Sequence, residues 1–323
     1  MRVIEITDGK GPASALVAGV RDKPQPAAGE ILIRVRAAGV NRPDIVQRNG
    51  FYPAPAGASD LLGLEVAGEV EAVGEGVERW SVGDRVCALL GGGGYAEYVT
   101  VDGRHALPVP QGLDFEQAAA LPETAFTVFT NVFEGGALKA GETLLIHGAT
   151  SGIGVMAIQM AKAAGARVIA TSRTKAKAEA AKALGADISL DASSQDLAAE
   201  IKAAGGVDVV LDMVGAAYAD LNLKALKDRG RWVIIASLTG TRTEIDLQRI
   251  MLKKLVLTGS TLRSRPADEK ARLAKAVEQT VWPWIEAGQI SARIHATFPL
   301  EQAAEAHAQL EGGDHVGKIL LIP

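Results

Sequence analysis

Glu142-Thr-Leu-Leu-Ile-His147-Gly148-Ala-Thr-Ser151-Gly152-Ile153-Gly154-Val-Met-Ala-Ile-Gln-Met-Ala-Lys162 reads as a buried strand, a glycine-rich turn and an amphipathic helix in immediate succession. Residues 143–146 are apolar or β-branched and predict a short covered strand. The glycines let the backbone turn sharply and approach a ligand with no Cβ in the way. A helix opening near Gly152 presents unpaired N–H groups and the positive end of its dipole, which together favour a diphosphate. Such turns are common, so the flanking segments decide what this one means.

Downstream, Arg167-Val-Ile-Ala-Thr-Ser172-Arg173 is a second apolar strand, Gly165 ends the first helix, and residues 174–184 predict a second helix. A βαβ unit results. The end of its second strand faces the adenosine ribose of a bound dinucleotide, where an Asp or Glu would mark NAD. Here that end carries Ser172 and Arg173, with Lys175 and Lys177 just beyond. These cations suit the 2′-phosphate of NADP, to which a guanidinium can donate two charge-assisted hydrogen bonds. The alternative is a solvated basic helix face, a reading that fits Lys182 better than the ligand one does.

The alternation of strand and helix continues with strands predicted at 188–191, 207–214, 231–236 and 255–260, six parallel strands in all. Continuous apolar strands of this kind belong to a doubly wound sheet covered by helices on both faces. Before them, the first ~120 residues read as β structure punctuated by Gly and Pro. Ile31, Ile33 and Val35 alternate with Leu32, Arg34 and Arg36, and further strands are expected at 66–73, 84–90 and 95–101, giving an irregular β-barrel. A helix over 267–287 follows the dinucleotide segment, and the last thirty residues return to the pattern of the first domain. The chain of 323 residues is thus an α/β protein of two domains, 123–262 for the dinucleotide and 1–122 completed by 263–323.

Hydrophobic residues are 48% and charged ones 22%, the net charge is −4, and no long block of one sign appears, which argues against nucleic acid as a partner. Charges at Arg2, Glu5, Asp8 and Lys10 interrupt the N-terminus, and no apolar run reaches the ~20 residues of a membrane span. A cytoplasmic protein is expected. The single cysteine, Cys87, excludes an intramolecular disulfide and reads as a small buried hydrophobe in an apolar strand. No pair among His105, His147, His295, His307 and His315 has metal-ligand spacing.

A β-rich domain, an inserted dinucleotide domain and a returning C-terminus resemble the medium-chain dehydrogenase/reductase superfamily over essentially the whole chain, with a GroES-like barrel and a Rossmann domain. Gly63-Leu64-Glu65-Val66-Ala67-Gly68 stands where its zinc enzymes carry Gly-His-Glu, and Val40-Asn41-Arg42-Pro43-Asp44 where they carry a ligand cysteine. Leu64 cannot ligate zinc and the carboxamide of Asn41 is no thiolate, so the resemblance points to a zinc-independent branch with no metal. Residues 41–53, Ala118-Ala-Ala-Leu-Pro122, Gly230-Arg-Trp-Val and His315-Val-Gly317-Lys318-Ile look like the quinone oxidoreductases. Residues 53–59 and Leu262-Arg263-Ser264-Arg265 are most similar to the tumour-suppressor-inducible subgroup. Two departures stand out: Ser151 takes the middle place of the fingerprint between Gly148 and Gly154, and Asp191-Ala192-Ser193 replaces a tyrosine often found near the 2′-phosphate. Phosphate selectivity then rests on Arg173 and Lys177. The short-chain reductases share the glycine spacing but place it near the N-terminus and need Tyr-x-x-x-Lys, whereas Tyr218 is followed four positions on by Asn222.

The resemblance implies an NADPH-dependent reductase of quinones or conjugated carbonyls, with Asn41, Tyr52 and Thr127 at the reacting end. An Asn N–H or Tyr O–H can donate to an oxyanion, and a tyrosine can supply the proton that completes enone reduction. Cofactor contacts are implied for Asn41, Thr127, Gly148, Ser151, Gly152, Ile153 and Gly154, and at the adenosine end for Ser172, Arg173 and Lys177. Ser237, Leu262, Arg263, Ser264 and Lys318 are carried over as lining the cofactor cleft. Local roles compete: Tyr52 as loop packing, Asn41 as a turn residue, Asp44 as a helix cap or structural acceptor. An enoyl-thioester or alkenal reductase is the competing activity, its thioester form requiring a basic channel for which Arg42, Arg48 and Arg265 are candidates. A low-turnover NADPH-binding sensor or structural protein is the competing class. The apolar sixth strand at a sheet edge predicts a homodimer.

Overall fold

Strand Thr143–His147 lies near the middle of a six-stranded sheet and is buried along its whole length. The computed structural model, which describes residues 1–323, pairs it in parallel with Arg167–Ser172 on one side and Val207–Asp212 on the other. Ile188–Asp191 and Leu226–Ile234 extend the sheet outward, and Val256–Gly259 closes one edge, all in parallel register. Buried Leu144, Leu145, Ile146, Val209, Val210 and Leu211 explain the continuous apolar runs, since both faces of these strands are covered. Residues 152–253 contribute the intervening helices, of which Gly152–Ala163 is buried continuously from Gly154 to Ala161 rather than on one face as an amphipathic pattern predicts. These elements form one unit, Thr127–Leu262 with Ala287–Ser291.

The other unit comprises Met1–Phe126, Arg263–Glu286 and Ala292–Pro323. Its centre is the eleven-residue strand Glu30–Val40. That strand pairs antiparallel with Glu65–Val73 along one side, and on the other meets Tyr98–Asp102 with its first half and Lys318–Ile322 with its last residues. The C-terminal segment therefore completes a sheet begun some three hundred residues earlier. Ile294–Pro299 flanks it, in parallel with Lys318–Ile322. The boundary to the dinucleotide unit falls after Phe126, four residues later than the change of pattern at Pro122. Tyr95, expected within a strand, precedes the strand that begins at Tyr98: its backbone bonds go to Leu62 and Ile4, and its side chain is fully buried.

Candidate active site

In an open parallel sheet, ligands bind beyond the C-terminal ends of the strands where the strand order reverses. Here the reversal lies between Thr143–His147 and Val207–Asp212, and the glycine turn leaves the first of them. Gly148 sits at φ 71°, a left-handed conformation that only glycine adopts freely. A Cβ on Gly154 would lie 2.4 Å from the Gly148 carbonyl oxygen, so a side chain there would fill the cradle. Ser151 caps helix Gly152–Ala163: its Oγ accepts the Gly154 N–H at 3.0 Å and donates to the Gly148 carbonyl at 2.8 Å. The hydroxyl expected to meet a cofactor thus shapes the turn itself.

Beneath the turn, four groups form a directed chain. The Thr171 hydroxyl donates to His147 Nδ1 (2.8 Å), His147 Nε2 donates to Asn222 Oδ1 (2.7 Å), and Asn222 Nδ2 donates to Asp212 Oδ2 (2.9 Å). This order requires a neutral imidazole, and burial does hold His147 below its ordinary pKa. The Trp232 indole and the Val214 and Gly215 amides complete the shell of Asp212. Four strands are thereby tied together under the glycine turn.

At the adenosine end, Ser172 is buried and its Oγ has no hydrogen-bond partner, an orphaned polar atom where a ribose is read to sit. Arg173 is exposed and Lys177 half-buried in the first turn after the Thr174 cap. Asp191, paired in register with Ser172, is occupied by the Ser193 amide and hydroxyl and the Ser194 hydroxyl, and the Ser193 hydroxyl holds its carboxyl below the usual range. Ser237 lies by Gly215, where a Cβ would come within 2.8 Å of the Ser237 Cα. Thr127 opens this unit and its carbonyl accepts from Asn131. The cradle and the unpartnered Ser172 hydroxyl both fit a dinucleotide.

The barrel unit gathers the remaining candidates around a buried ion pair. Lys318 Nζ lies 2.5 Å from Glu65 Oε1 and donates to Asn41 Oδ1 at 2.5 Å and to the Val40 carbonyl at 3.3 Å. Asn41 Nδ2 donates back to Glu65 Oε1 at 2.9 Å, and the Glu123 amide donates to Glu65 Oε2 at 2.8 Å. Gly39 makes room: a Cβ there would lie 2.1 Å from Glu65 Oε1. Asn41 and Lys318, read as reaching a cofactor, thus satisfy one another and Glu65 in this structure.

Asn41 precedes helix Arg42–Arg48, and Asp44 in the first turn accepts the Asn41 amide (2.8 Å), the Gly63 amide (3.2 Å) and the Tyr95 hydroxyl (3.1 Å). The structural-acceptor role of Asp44 is therefore the one its geometry gives. Tyr95 in turn accepts from His307 Nε2 (2.9 Å), and His307 Nδ1 accepts from buried Arg48 (3.2 Å), which pairs with Glu311 at 2.7 Å. Full burial pushes Asp44 up to about 6, and burial beside Arg48 pushes His307 down to about 3.

Tyr52 is half-buried, its phenol pushed up by burial. Its carbonyl accepts from Arg263 Nη1 at 3.2 Å, and the guanidinium sits 5.3 Å from its ring centroid. Arg263 also donates to the Gly91 carbonyl at 2.8 Å, while its Nη2 is buried without a partner. Leu262 and Ser264 flank it, half-buried and exposed. Glu123, absent from the sequence-derived site, is half-buried and pushed up to about 8, first by burial and then by Glu65. Its only sequence signal is a carboxylate following the Ala-Ala-Ala-Leu-Pro run. Arg42 donates to the Leu310 carbonyl, Arg48 is buried and Arg265 pairs with Glu269, so these three do not line a basic channel through their own unit.

Two family models match this chain: an alcohol dehydrogenase GroES-like domain over residues 27–111 and a zinc-binding dehydrogenase over 152–279. A quinone oxidoreductase of Pseudomonas aeruginosa is 36% identical, with 93% of each chain covered. The solved Escherichia coli quinone oxidoreductase complexed with NADPH has a TM-score of 0.90 at 31% identity, covering 100% of both chains. A solved NAD-dependent alcohol dehydrogenase has a TM-score of 0.89, also at 31% identity and full coverage of both.

Proposed function

Because the chain belongs to the medium-chain dehydrogenase/reductase superfamily, we propose that it is a zinc-independent reductase that uses NADPH to reduce quinones or conjugated carbonyls. The observation that carries the zinc-independent part is the Lys318 ammonium in contact with both Glu65 and Asn41, a cation built from the protein at the loop where the superfamily's zinc enzymes bind metal. Leu64 alongside offers no donor atom and is buried as a core residue. Without a Lewis acid, acceptors whose charge is delocalised as hydride arrives are the ones a dipolar site can reduce, and quinones and enones are of that kind. The relatives named quinone oxidoreductases support the same class.

The cofactor, when bound, supplies a hydride. The chain's part is to hold it: the turn from Gly148 to Gly154 for the diphosphate, with Ile153 in the helix's first turn, and Ser172, Arg173 and Lys177 for the adenosine ribose and its phosphate. The E. coli relative is complexed with NADPH, which supports the phosphorylated form. Segment 262–265 supports the tumour-suppressor-inducible subgroup. The thioester reading is disfavoured by the local partners of Arg42, Arg48 and Arg265. A homodimer joined at the free edge of Val256–Gly259, and a place in the cytoplasm, complete the reading; no helix is long and apolar enough to cross a membrane.

The test is the loss of NADPH absorbance with a panel of quinones, enals and enoyl thioesters, run in parallel with NADH. Quinones or enones should turn over fastest and chelators should have no effect. Arg173→Ala should lower kcat/KM for NADPH by at least ~10-fold, about 1.4 kcal/mol, while leaving NADH within about twofold. Equal losses with both cofactors would remove the assignment of Arg173. Tight NADPH binding without any turnover would select the sensor or structural alternative.

A further inference from the structure

Reduction of a conjugated carbonyl needs a proton as well as a hydride, and the barrel unit offers three acids near its buried ion pair. Asp44 is excluded by its bonds: it is fully buried and already accepts three donors. Tyr52 is half-buried, but the same desolvation that covers it makes its phenol a weaker acid than usual. Glu123 differs from both. It stands at the start of helix Pro122–Val128, held by its own amide on Glu65, and its carboxyl makes no hydrogen bond or ion pair although charged groups surround it. Part of its side chain remains open to solvent.

We infer that Glu123 is the general acid of this site, delivering the proton that completes reduction of the acceptor. The groups acting on its carboxyl come from every side: Glu65 from strand Glu65–Val73, Lys318 from strand Lys318–Ile322, Asp44 from helix Arg42–Arg48, and Arg263. Glu65 and Asp44 favour the protonated form, Lys318 and Arg263 the carboxylate, and burial outweighs the cations. A carboxylic acid kept neutral to about 8 matches a reaction run near neutrality far better than a phenol above its ordinary 10. The anchoring of the Glu123 amide on a carboxylate that Lys318 and Asn41 also hold fixes the acid's backbone to the loop of the reacting end.

The step balances. The bound cofactor would supply a hydride, two electrons and a proton, for the new C–H bond at the acceptor's electrophilic carbon or the new O–H or C–H bond of a quinone, and would itself be the group oxidised. The displaced π electrons make an enolate or phenolate, the Glu123 O–H bond breaks as the acceptor's new C–H or O–H bond forms, and water reprotonates the carboxylate.

This inference rests on the proposed reductase activity, and Glu123→Gln tests the two separately. Thermal melting and the fluorescence titration of NADPH should match the wild type, showing that fold and cofactor binding survive. With an enone or quinone, wild-type kcat should fall above about pH 8, whereas Glu123→Gln should be flat with pH and about 100-fold slower. Glu123→Asp should keep the limb at an intermediate rate. Independently of turnover, infrared spectra of the ligand-free protein should show a protonated carboxyl band that disappears near pH 8 and is missing in Glu123→Gln. An active wild type whose Glu123→Gln variant retains its rate within about threefold and its alkaline limb overturns the general acid alone. An infrared band that titrates in the ordinary carboxylate range also overturns it. A wild type that binds NADPH and reduces neither quinone nor enone overturns the reductase reading and the proton donor with it.

Discussion

Asp44 and His307 lie two hydrogen bonds apart, joined through the Tyr95 hydroxyl, and burial acts on them with opposite sign. Asp44 is raised from 3.8 to about 6, so the folded protein binds this proton more tightly than the unfolded chain; its contribution to stability is complete below pH 3.8 and is lost as pH rises through 6. His307 is lowered from 6.5 to about 3, so its contribution is complete above pH 6.5 and is lost as pH falls through 3. At about 1.4 kcal/mol per pH unit the first effect is about 3 kcal/mol and the second about 5 kcal/mol. Histidine wins on acidification, most steeply below pH 4, where Asp44 has nothing further to return. In urea titrations, His307→Gln should lose about 3 kcal/mol less stability than the wild type between about pH 7 and pH 4. Equal losses would show that His307 is not held neutral by its site. None of this was legible in the sequence. His307 meets Arg48 across 259 residues and Tyr95 across 212, and no spacing along the chain announces such a partner.

Elements were legible where their causes are local. The turn from His147 to Gly154, the strands beside it and the helix predicted over 174–184 follow from short-range glycine and apolar signals, and the structure returns them within a residue or two. Tyr95 departs from its expected strand for a non-local reason: its hydroxyl is drawn to Asp44 and its backbone to Leu62 and Ile4. Ser151 shows a different limit: its place in the sequence suits a ligand contact and an N-cap equally well, and its Oγ makes the cap, a role that glycine spacing alone does not announce. The turn also sets a test at this scale. A Cβ on Gly154 meets the Gly148 oxygen at 2.4 Å and the Ala149 carbonyl carbon at 2.6 Å, backbone atoms that cannot rotate aside. Gly154→Ala should therefore open the turn, destabilise the protein by about 1–3 kcal/mol and weaken NADPH binding at least ~10-fold in a fluorescence titration. Retained affinity would mean that the diphosphate is not bound at this turn.

For the whole chain, the α/β class, the six parallel strands and the return of the C-terminus to the first unit could all be read ahead, because periodicity and glycine placement repeat over many residues. What could not be read is how polar residues from distant segments share one charge. Lys318 and Glu65 are 6% and 0% exposed in their side chains, and breaking such a pair leaves a buried charge at a cost of about 3–5 kcal/mol. Composition offers no trace of that dependence. Assembly is the remaining property of the molecule as a whole. Strand Val256–Gly259 bonds only to Leu226–Ile234, so its other edge presents unpaired backbone groups, and Val256 is 50% exposed. The preceding helix Leu247–Lys253 exposes Leu247, Met251 and Leu252 at 71%, 67% and 65%. Natural edges are usually blunted by charge or covered, and the proposed homodimer would cover this open strand edge and the exposed apolar residues of the preceding helix. Sedimentation should give the wild type twice its chain mass of 33.6 kDa, and Leu252→Asp combined with Val256→Lys should give a folded protein of one chain mass. A wild type that sediments as a single chain, or a dimer indifferent to both charges, would place any association elsewhere on the surface.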